Sequence, residues 1–288
     1  MNCRIINRLS IVSLLLLFLF VFAKAQTRRA LVIGLGRQED PMWNKINGDK
    51  DVAFVKEMLN NSGYASIKTL VNEQATKSNI CKAFKNLISQ CGNGDIVYVH
   101  YSGHGQQMRD RHNDELDGLD ECWIPYDAYR KRCNKDRGEK HLTDDEINFY
   151  LNKLRDKVGE QGKILVVVDA CHSGGSTRSD KTDSIVVRGV ADIFNTNKKK
   201  TKITLRPERW ITISACKNNQ SNVEMKTPAV GKLTYAIYCK LKENSHRSND
   251  AFFSQITSFI KRHTQTFFQI PEMTGEYISK YNITDILR

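Results

Sequence analysis

Val166–Gly175 reads VVVDACHSGG: three β-branched apolar residues, an acid, an alanine, a thiol, then histidine, serine and two glycines. With Lys163, Ile164 and Leu165 before it, the run is apolar without alternation. That is the signature of a strand buried on both faces, as in a parallel sheet covered by helices. The strand is expected over Lys163–Ala170. Strand residues two apart share a face, so Asp169 and Cys171 stand on the same side. An acid and a thiol at the carboxyl end of a central strand occupy the rim where ligands of open α/β sheets gather.

Working outward, short apolar runs alternate with amphipathic ones. Arg29–Gly36, Ile67–Val71, Asp95–Tyr101 and Arg209–Cys216 read as further strands, and Phe267–Pro271 as an edge strand. Asp51–Leu59, Thr76–Gln90, Leu142–Val158, Gly231–Leu241 and Ala251–His263 carry apolar residues at helical spacing. Thr143 and Glu146 have the spacing of a capping box. The expected fold class is therefore α/β, a mainly parallel central sheet with helices on both faces. Two stretches fall outside this alternation. Asp110–Asp127 is an acidic loop, and Ser173–Glu208 is a long polar loop with Arg178, Lys181, Arg188 and Lys198–Lys200. A loop of that length in a compact domain is functional or disordered.

The Asp95–Tyr101 strand runs into Ser102-Gly103-His104-Gly105. If it neighbours the Val166 strand, His104 and Cys171 share one rim. Cys and His are the minimal pair for thiol acyl transfer: the imidazole takes the thiol proton and the thiolate attacks a carbonyl. The N–H groups of Gly105 and Cys171 are placed to face a developing oxyanion. A carboxylate at Asp169 would raise the thiol pKa unless a cation sat on it, and an Arg or Lys side chain of a substrate is such a cation.

Tyr101-Ser102-Gly103-His104-Gly105 and Asp169-Ala170-Cys171-His172-Ser173-Gly174 resemble the two catalytic motifs of the caspase-like (caspase-hemoglobinase) fold, in particular the metacaspase branch of peptidase family C14. Asp117–Glu121 with Ile124–Asp127, Ser214–Cys216 with Gln220 and Glu224, and Gly231–Ala236 resemble further parts of that family, so the resemblance runs from about Arg29 to near the C-terminus. The sequence departs from the caspase pentapeptide Q-A-C-x-G, and its His-to-Cys spacing exceeds the roughly 50 residues of caspases. The resemblance implies a cysteine endopeptidase with His104 as general base, Cys171 as nucleophile, and Gly105 and Cys171 N–H groups as the oxyanion hole. His172 is then a supporting residue. Asp51, Ser102 and Asp169 match the family's S1 pocket, which implies cleavage of protein or peptide substrates after Arg or Lys; for Asp51 a helix N-terminal charge is the competing reading. Asp120, Asp144 and Asp145 match three Ca²⁺ ligands of the family. The fourth falls on Arg178, with Asp180 near. Ca²⁺ thus enters as an activating ion, not as part of the chemistry, while Asp144 and Asp145 equally suit a helix first turn. Self-cleavage in the 173–208 loop is expected, at Arg178, Lys181, Arg188 or Lys198–Lys200. A clostripain- or gingipain-type protease of the same fold and a non-catalytic caspase-like binding module are the alternatives; intact His104 and Cys171 argue against the latter.

Residues 1–25 stand apart. Arg4 and Arg8 precede an apolar run at Ile11–Ala23, and Ala23-Lys24-Ala25 is an A-x-A cleavage site, the pattern of a signal peptide. An uncleaved anchor is the competing reading. The expectation is an exported (secreted or periplasmic) single domain over 26–288, not held in a membrane after cleavage and acting as a monomer. Hydrophobic content of 40% and charged content of 26% over 288 residues suit a soluble globular chain. The formal charge of +12 falls to about +9 once Arg4, Arg8 and Lys24 leave. The cations are scattered and no nucleic-acid-binding pattern is present, so no nucleic-acid partner is expected. Seven cysteines remain after Cys3, an odd number in an exported chain, with Cys171 the candidate for the one kept as a thiol; no C-x-x-C pair points to zinc.

Overall fold

Three all-but-buried strands form the centre: β1 (Arg28–Gly34), β3 (Ile96–Ser102) and β7 (Lys163–Asp169). The computed structural model describes residues 26–110, 115, 117–171, 186–196, 206–217, 220–243, 248–264 and 269–288. Residues 1–25, read above as a signal peptide, and His172, Arg178, Lys181 and Lys198–Lys200 lie outside these. With β2 (Ser66–Val71), β8 (Ile211–Ser214) and β9 (Glu272–Thr274), the sheet order is β2-β1-β3-β7-β8-β9. All pairs are parallel except β8–β9. The edge strand lies a few residues beyond the expected Phe267–Pro271, and β8 is shorter than Arg209–Cys216.

Period-two alternation divides the core. Leu165 and Val167 join Val32 and Ile211 on one face, against Val55, Leu233, Ile237 and Ile256. Those four come from α1 (Gly48–Asn61), α4 (Lys232–Lys242) and α5 (Asn249–Arg262). Val166 and Val168 join Ile33 and Val99 on the other face, against Phe84, Leu87, Leu151 and Leu154. These belong to α2 (Lys77–Gln90) and α3 (Asp144–Val158). Each such side chain contributes about 1.5–3 kcal/mol when fully buried. A short α6 (Thr284–Leu287) closes the chain. At α3 the capping box is present in both directions, Thr143 Oγ1 accepting from the Glu146 N–H and the Glu146 carboxylate from the Thr143 N–H.

The stretch read as an acidic loop contains β5 (Leu119–Trp123), the middle strand of a second, antiparallel sheet whose other strands, β4 (Gly105–Arg109) and β6 (Leu142–Thr143), lie on either side of that stretch in sequence. Cys122 pairs with Thr143, which sets Asp120 and Glu121 beside the start of α3. The long polar loop also contributes to this sheet. Phe194 forms a parallel bridge to Met108 on β4, through Phe194 N–H to the Gln107 carbonyl (2.8 Å) and Arg109 N–H to the Phe194 carbonyl (3.1 Å).

Two features aim this fold at its rim. The last register pairs are Gly34 with Ser102 and Ser102 with Asp169, so β1, β3 and β7 end level. Gly48 then lets α1 start hard against them: a Cβ there would lie 2.5 Å from both the Leu35 and Ser102 carbonyl oxygens. Asp51, one turn into α1, is thereby delivered to the strand ends.

Candidate active site

The neighbouring ends of β3 and β7 put His104 and Cys171 on one rim, as their strand positions require. Tyr101 fixes the turn between β3 and His104. Its hydroxyl donates to the His104 carbonyl (2.6 Å) and accepts from the Ile124 N–H (2.9 Å), and its ring stacks on Trp123. The turn needs glycine at 103, where a Cβ would sit 2.6 Å from that hydroxyl. The His104 ring is buried, stacked on Trp43, with Nε2 2.8 Å from the Asn44 carbonyl. A carbonyl only accepts, so Nε2 carries the proton and Nδ1 the lone pair. Nδ1 is buried and makes no hydrogen bond. Burial pushes the imidazole down to about 4; the Asn44 carbonyl opposes this and the Arg188 and Arg130 cations add to it. His104 is thus a neutral ring whose Nδ1 lone pair is not engaged in a hydrogen bond, the form a general base requires.

Cys171 is also buried. Its thiol donates to the Gln220 carbonyl at 2.7 Å, an oxygen that Cys216 Sγ approaches at 3.4 Å. Burial and the Cys171 side chain push the Cys216 thiol far up, the contact with Cys171 being the larger cause. Gly105, expected to offer its N–H to an oxyanion, opens β4 opposite Trp123. None of the seven cysteines after residue 26 is in a disulfide.

Asp51, Ser102 and Asp169 do come together, and all three are fully buried. The space between them is filled by Arg188 of the same chain. Its Nη1 lies 2.7 Å from Asp51 Oδ2, 2.7 Å from Ser102 Oγ and 3.4 Å from Asp169 Oδ1, and its Nε donates to Glu224 Oε1 at 2.8 Å. The Ser102 hydroxyl in turn donates to Asp51. Asp169 is held by Asn222 Nδ2 (2.7 Å) on one oxygen and by the Thr234 N–H (2.8 Å) and hydroxyl (2.7 Å) on the other. Gly231 N–H donates to Asp51 Oδ1 (2.9 Å), and a Cβ at Gly231 would fall 2.2 Å from Asp169 Oδ2. Burial pushes the Asp169 carboxyl up, but the Arg188 cation and the bonds from Asn222 and Thr234 outweigh it, leaving it below the ordinary range. At Asp51 burial wins, and the carboxyl rises to about 6 despite Arg188. Burying charges is costly unless they are paired, and here one guanidinium faces three carboxylates.

The backbone around Arg188 is as ordered as its side chain. Arg188 N–H donates to the Asn222 carbonyl (2.9 Å) and Glu224 N–H to the Val186 carbonyl (2.9 Å), with Val187 opposite Val223 in an antiparallel bridge. The Cys171 N–H donates to the Arg188 carbonyl at 2.8 Å. A Cβ on Gly189 would lie 3.0 Å from Cys171 Cβ. Thus the Arg188–Gly189 peptide lies against Cys171, with its carbonyl on one of the two expected oxyanion donors.

The acidic residues 120, 144 and 145 meet through β5–β6 pairing. Asp120 is buried, and the Glu121 N–H donates to Asp144 Oδ2 (3.4 Å). Burial, then Glu121, Asp120, Asp145 and Glu115, push the Asp144 carboxyl up to about 9. This oxygen-rich, negatively crowded donor set suits a hard cation such as Ca²⁺. Among the described residues, however, no three His, Cys, Asp or Glu side chains are arranged around one ion position.

Sequence reading missed the Asn44 carbonyl and Asn222, and it named Thr234 only within the Gly231–Ala236 motif. It named Arg188 only as one of several basic loop residues and Glu224 only within a supporting motif. A backbone carbonyl leaves no residue-type signal. Nothing in its residue type or immediate sequence sets Arg188 apart from the other basic residues of its loop.

A mainly parallel sheet ending in a His turn, a Cys turn and an acid-lined pocket is the frame of a caspase-like peptidase. The family described as metacaspase, peptidase C14 domain, matches residues 28–178, just over half of the chain, and the protein belongs to it. The chain is 27% identical over 218 residues to Metacaspase-3 of Trypanosoma brucei brucei, covering 70% of this chain and 56% of that one. It is 31% identical over 155 residues to Metacaspase-2 of Arabidopsis thaliana, covering 51% and 34%. The chain therefore spans about half or less of the length of these curated relatives. Among solved structures, a Geobacter sulfurreducens protein matches at TM-score 0.62 and 23% identity, covering 86% of this chain and 92% of that one. Caspase-1 of Spodoptera frugiperda matches at 0.57 and 11%, covering 87% and 86%. These two likenesses show the fold.

Proposed function

We propose that the protein is a cysteine endopeptidase that cleaves protein or peptide chains after a basic residue, and that it cleaves itself after Arg188. One observation carries this reading: Arg188 lies in the acid pocket as the P1 residue of a substrate would, with its carbonyl on the Cys171 N–H. Val186 and Val187 take the P3 and P2 places by pairing antiparallel to 222–224, a common way for extended peptides to dock.

In the proposed reaction the Cys171 thiol gives its proton to His104 Nδ1 and Sγ attacks the P1 carbonyl carbon. The negative charge on the carbonyl oxygen is met by the Cys171 N–H, with Gly105 as a second donor. The C–N bond then breaks as His104 returns the proton to the leaving amine, and water hydrolyses the thioester. Asp51, Ser102, Asp169 and Glu224 hold the P1 cation, whose charge offsets the carboxylates near the thiol. Ca²⁺ belongs to this proposal as an activating ion that Asp120, Asp144 and Asp145 would hold. Export through residues 1–25 is likewise proposed; no helix of the described residues is long and apolar enough to cross a membrane.

Matched fluorogenic peptides with Arg, Lys or Asp at P1 test the reading, with and without Ca²⁺. Hydrolysis after the basic residues, absent in Cys171→Ala, is expected. Preferred cleavage after Asp, or none under any condition, contradicts it.

A further inference from the structure

We infer that Glu224 makes this site selective for arginine over lysine, a conclusion that rests on reading the Arg188 pocket as S1. The bond that carries it is Arg188 Nε–H to Glu224 Oε1, 2.8 Å long and sealed from solvent. The other contacts of the side chain gather on Nη1, where Asp51, Ser102 and Asp169 converge. Any cation of the right reach would satisfy that group. The Nε contact is different, because lysine carries a methylene at that place in the side chain. A lysine bound there would set apolar carbon against a buried carboxylate. Its ammonium would also stop where the guanidinium carbon now lies, one bond short of Asp51 and Ser102.

Glu224 is not able to follow a shorter cation. The Asn47 N–H donates to Oε1 at 2.7 Å and the Asn47 side-chain amide donates to Oε2. Asn47 precedes the first residue of α1 and makes no capping bond with its side chain, which is turned to Glu224 instead. From the other side, the Glu224 N–H is bound to the Val186 carbonyl. The carboxylate is thus fixed at a distance from the pocket floor that matches the Nε–Nη1 fork. A site built to bond a particular N–H discriminates strongly against an analogue that lacks it, since its own buried group is left unpaired.

The experiment measures kcat/KM of the self-processed protein on peptides that differ only in P1, Arg or Lys, for wild type, Glu224→Gln and Glu224→Leu. Wild type is expected to favour Arg by about tenfold or more, the scale of a charge-assisted bond. Glu224→Leu is expected to bring the ratio to within about threefold by lowering cleavage after Arg much more than after Lys. Glu224→Gln, which keeps an acceptor and the side-chain volume, falls between and serves if the leucine variant does not fold. Equal wild-type rates on the two peptides, or a parallel loss of both in the variants, overturns the role of Glu224 and leaves a basic-residue protease standing. Cleavage of neither peptide by wild type overturns the pocket reading itself, and this inference with it.

Discussion

Two groups of buried and half-buried acids sit within the same fold and are balanced in opposite ways. Around Arg188, three carboxylates surround a guanidinium, and Asp169 is held below its ordinary range. At the start of α3, Asp144 stands among Asp120, Glu121 and Asp145 and is pushed up to about 9. Both arise because strand ends or strand pairs deliver acids to one place. They differ in what the chain supplies next: a cationic side chain on an extended segment in one case, more carboxylates in the other. The first arrangement is a pocket shaped for an arginine; the second has the donor chemistry for a proton or a divalent ion.

The largest expected effect separates chemistry from charge balance. Cys171→Ala, next to the first group, should lower hydrolysis of a P1-Arg peptide by about 10⁴-fold or more, leaving the fold intact by circular dichroism. Retained activity would move the chemistry away from the Arg188 pocket. Next, Arg188→Ala leaves Asp51, Asp169 and Glu224 without their shared cation. The uncut protein, made in a Cys171→Ala background, should lose about 3–5 kcal/mol of stability in urea unfolding. A loss well under 1 kcal/mol would show that Arg188 is not what offsets the charge of these carboxylates.

A third prediction concerns pH. His104 titrates near 4 in the folded protein, against an ordinary value near 6.5. Between those values the unfolded chain binds more protons, so this residue's contribution to stability is complete above about pH 6.5 and is lost as pH falls towards 4, by at most about 1.4 kcal/mol per unit. The stability gap between wild type and His104→Asn should therefore shift in favour of the variant from pH 7 to pH 5. A constant gap would mean that His104 is not held neutral. The smallest expected effect addresses the second group. Ca²⁺ should raise the melting temperature of wild type by a few degrees, on the scale of about 1–2 kcal/mol, and should not do so in Asp144→Asn. An equal rise in both would remove Asp144 from any ion site.

The frame of the pocket was legible before its contents. Mostly apolar runs without polar alternation identify β1, β3 and β7, since a strand covered on both faces has no polar side to show. Period-two geometry placed Asp169 on the face with Leu165 and Val167, where α4 meets it through Thr234. The small antiparallel sheet was hidden because β5, Leu-Asp-Glu-Cys-Trp, is short and acidic and reads as loop. The edge strand β9 was misplaced by a few residues, its three residues carrying too little pattern to fix a boundary. Arg188 illustrates the deeper limit. Its neighbours in the pocket lie 137, 36 and 19 residues away in sequence, and only the closed fold distinguishes it from the other basic residues of its loop.

The central claim is that Arg188 occupies the pocket as a substrate residue would. Mass spectrometry of the purified protein incubated beside Cys171→Ala, with and without Ca²⁺, tests it most directly. The account predicts a new N-terminus at Gly189 in wild type and none in the variant. An uncut wild type under both conditions, the same fragments in both proteins, or Cys171-dependent cuts that spare the Arg188–Gly189 bond would contradict it.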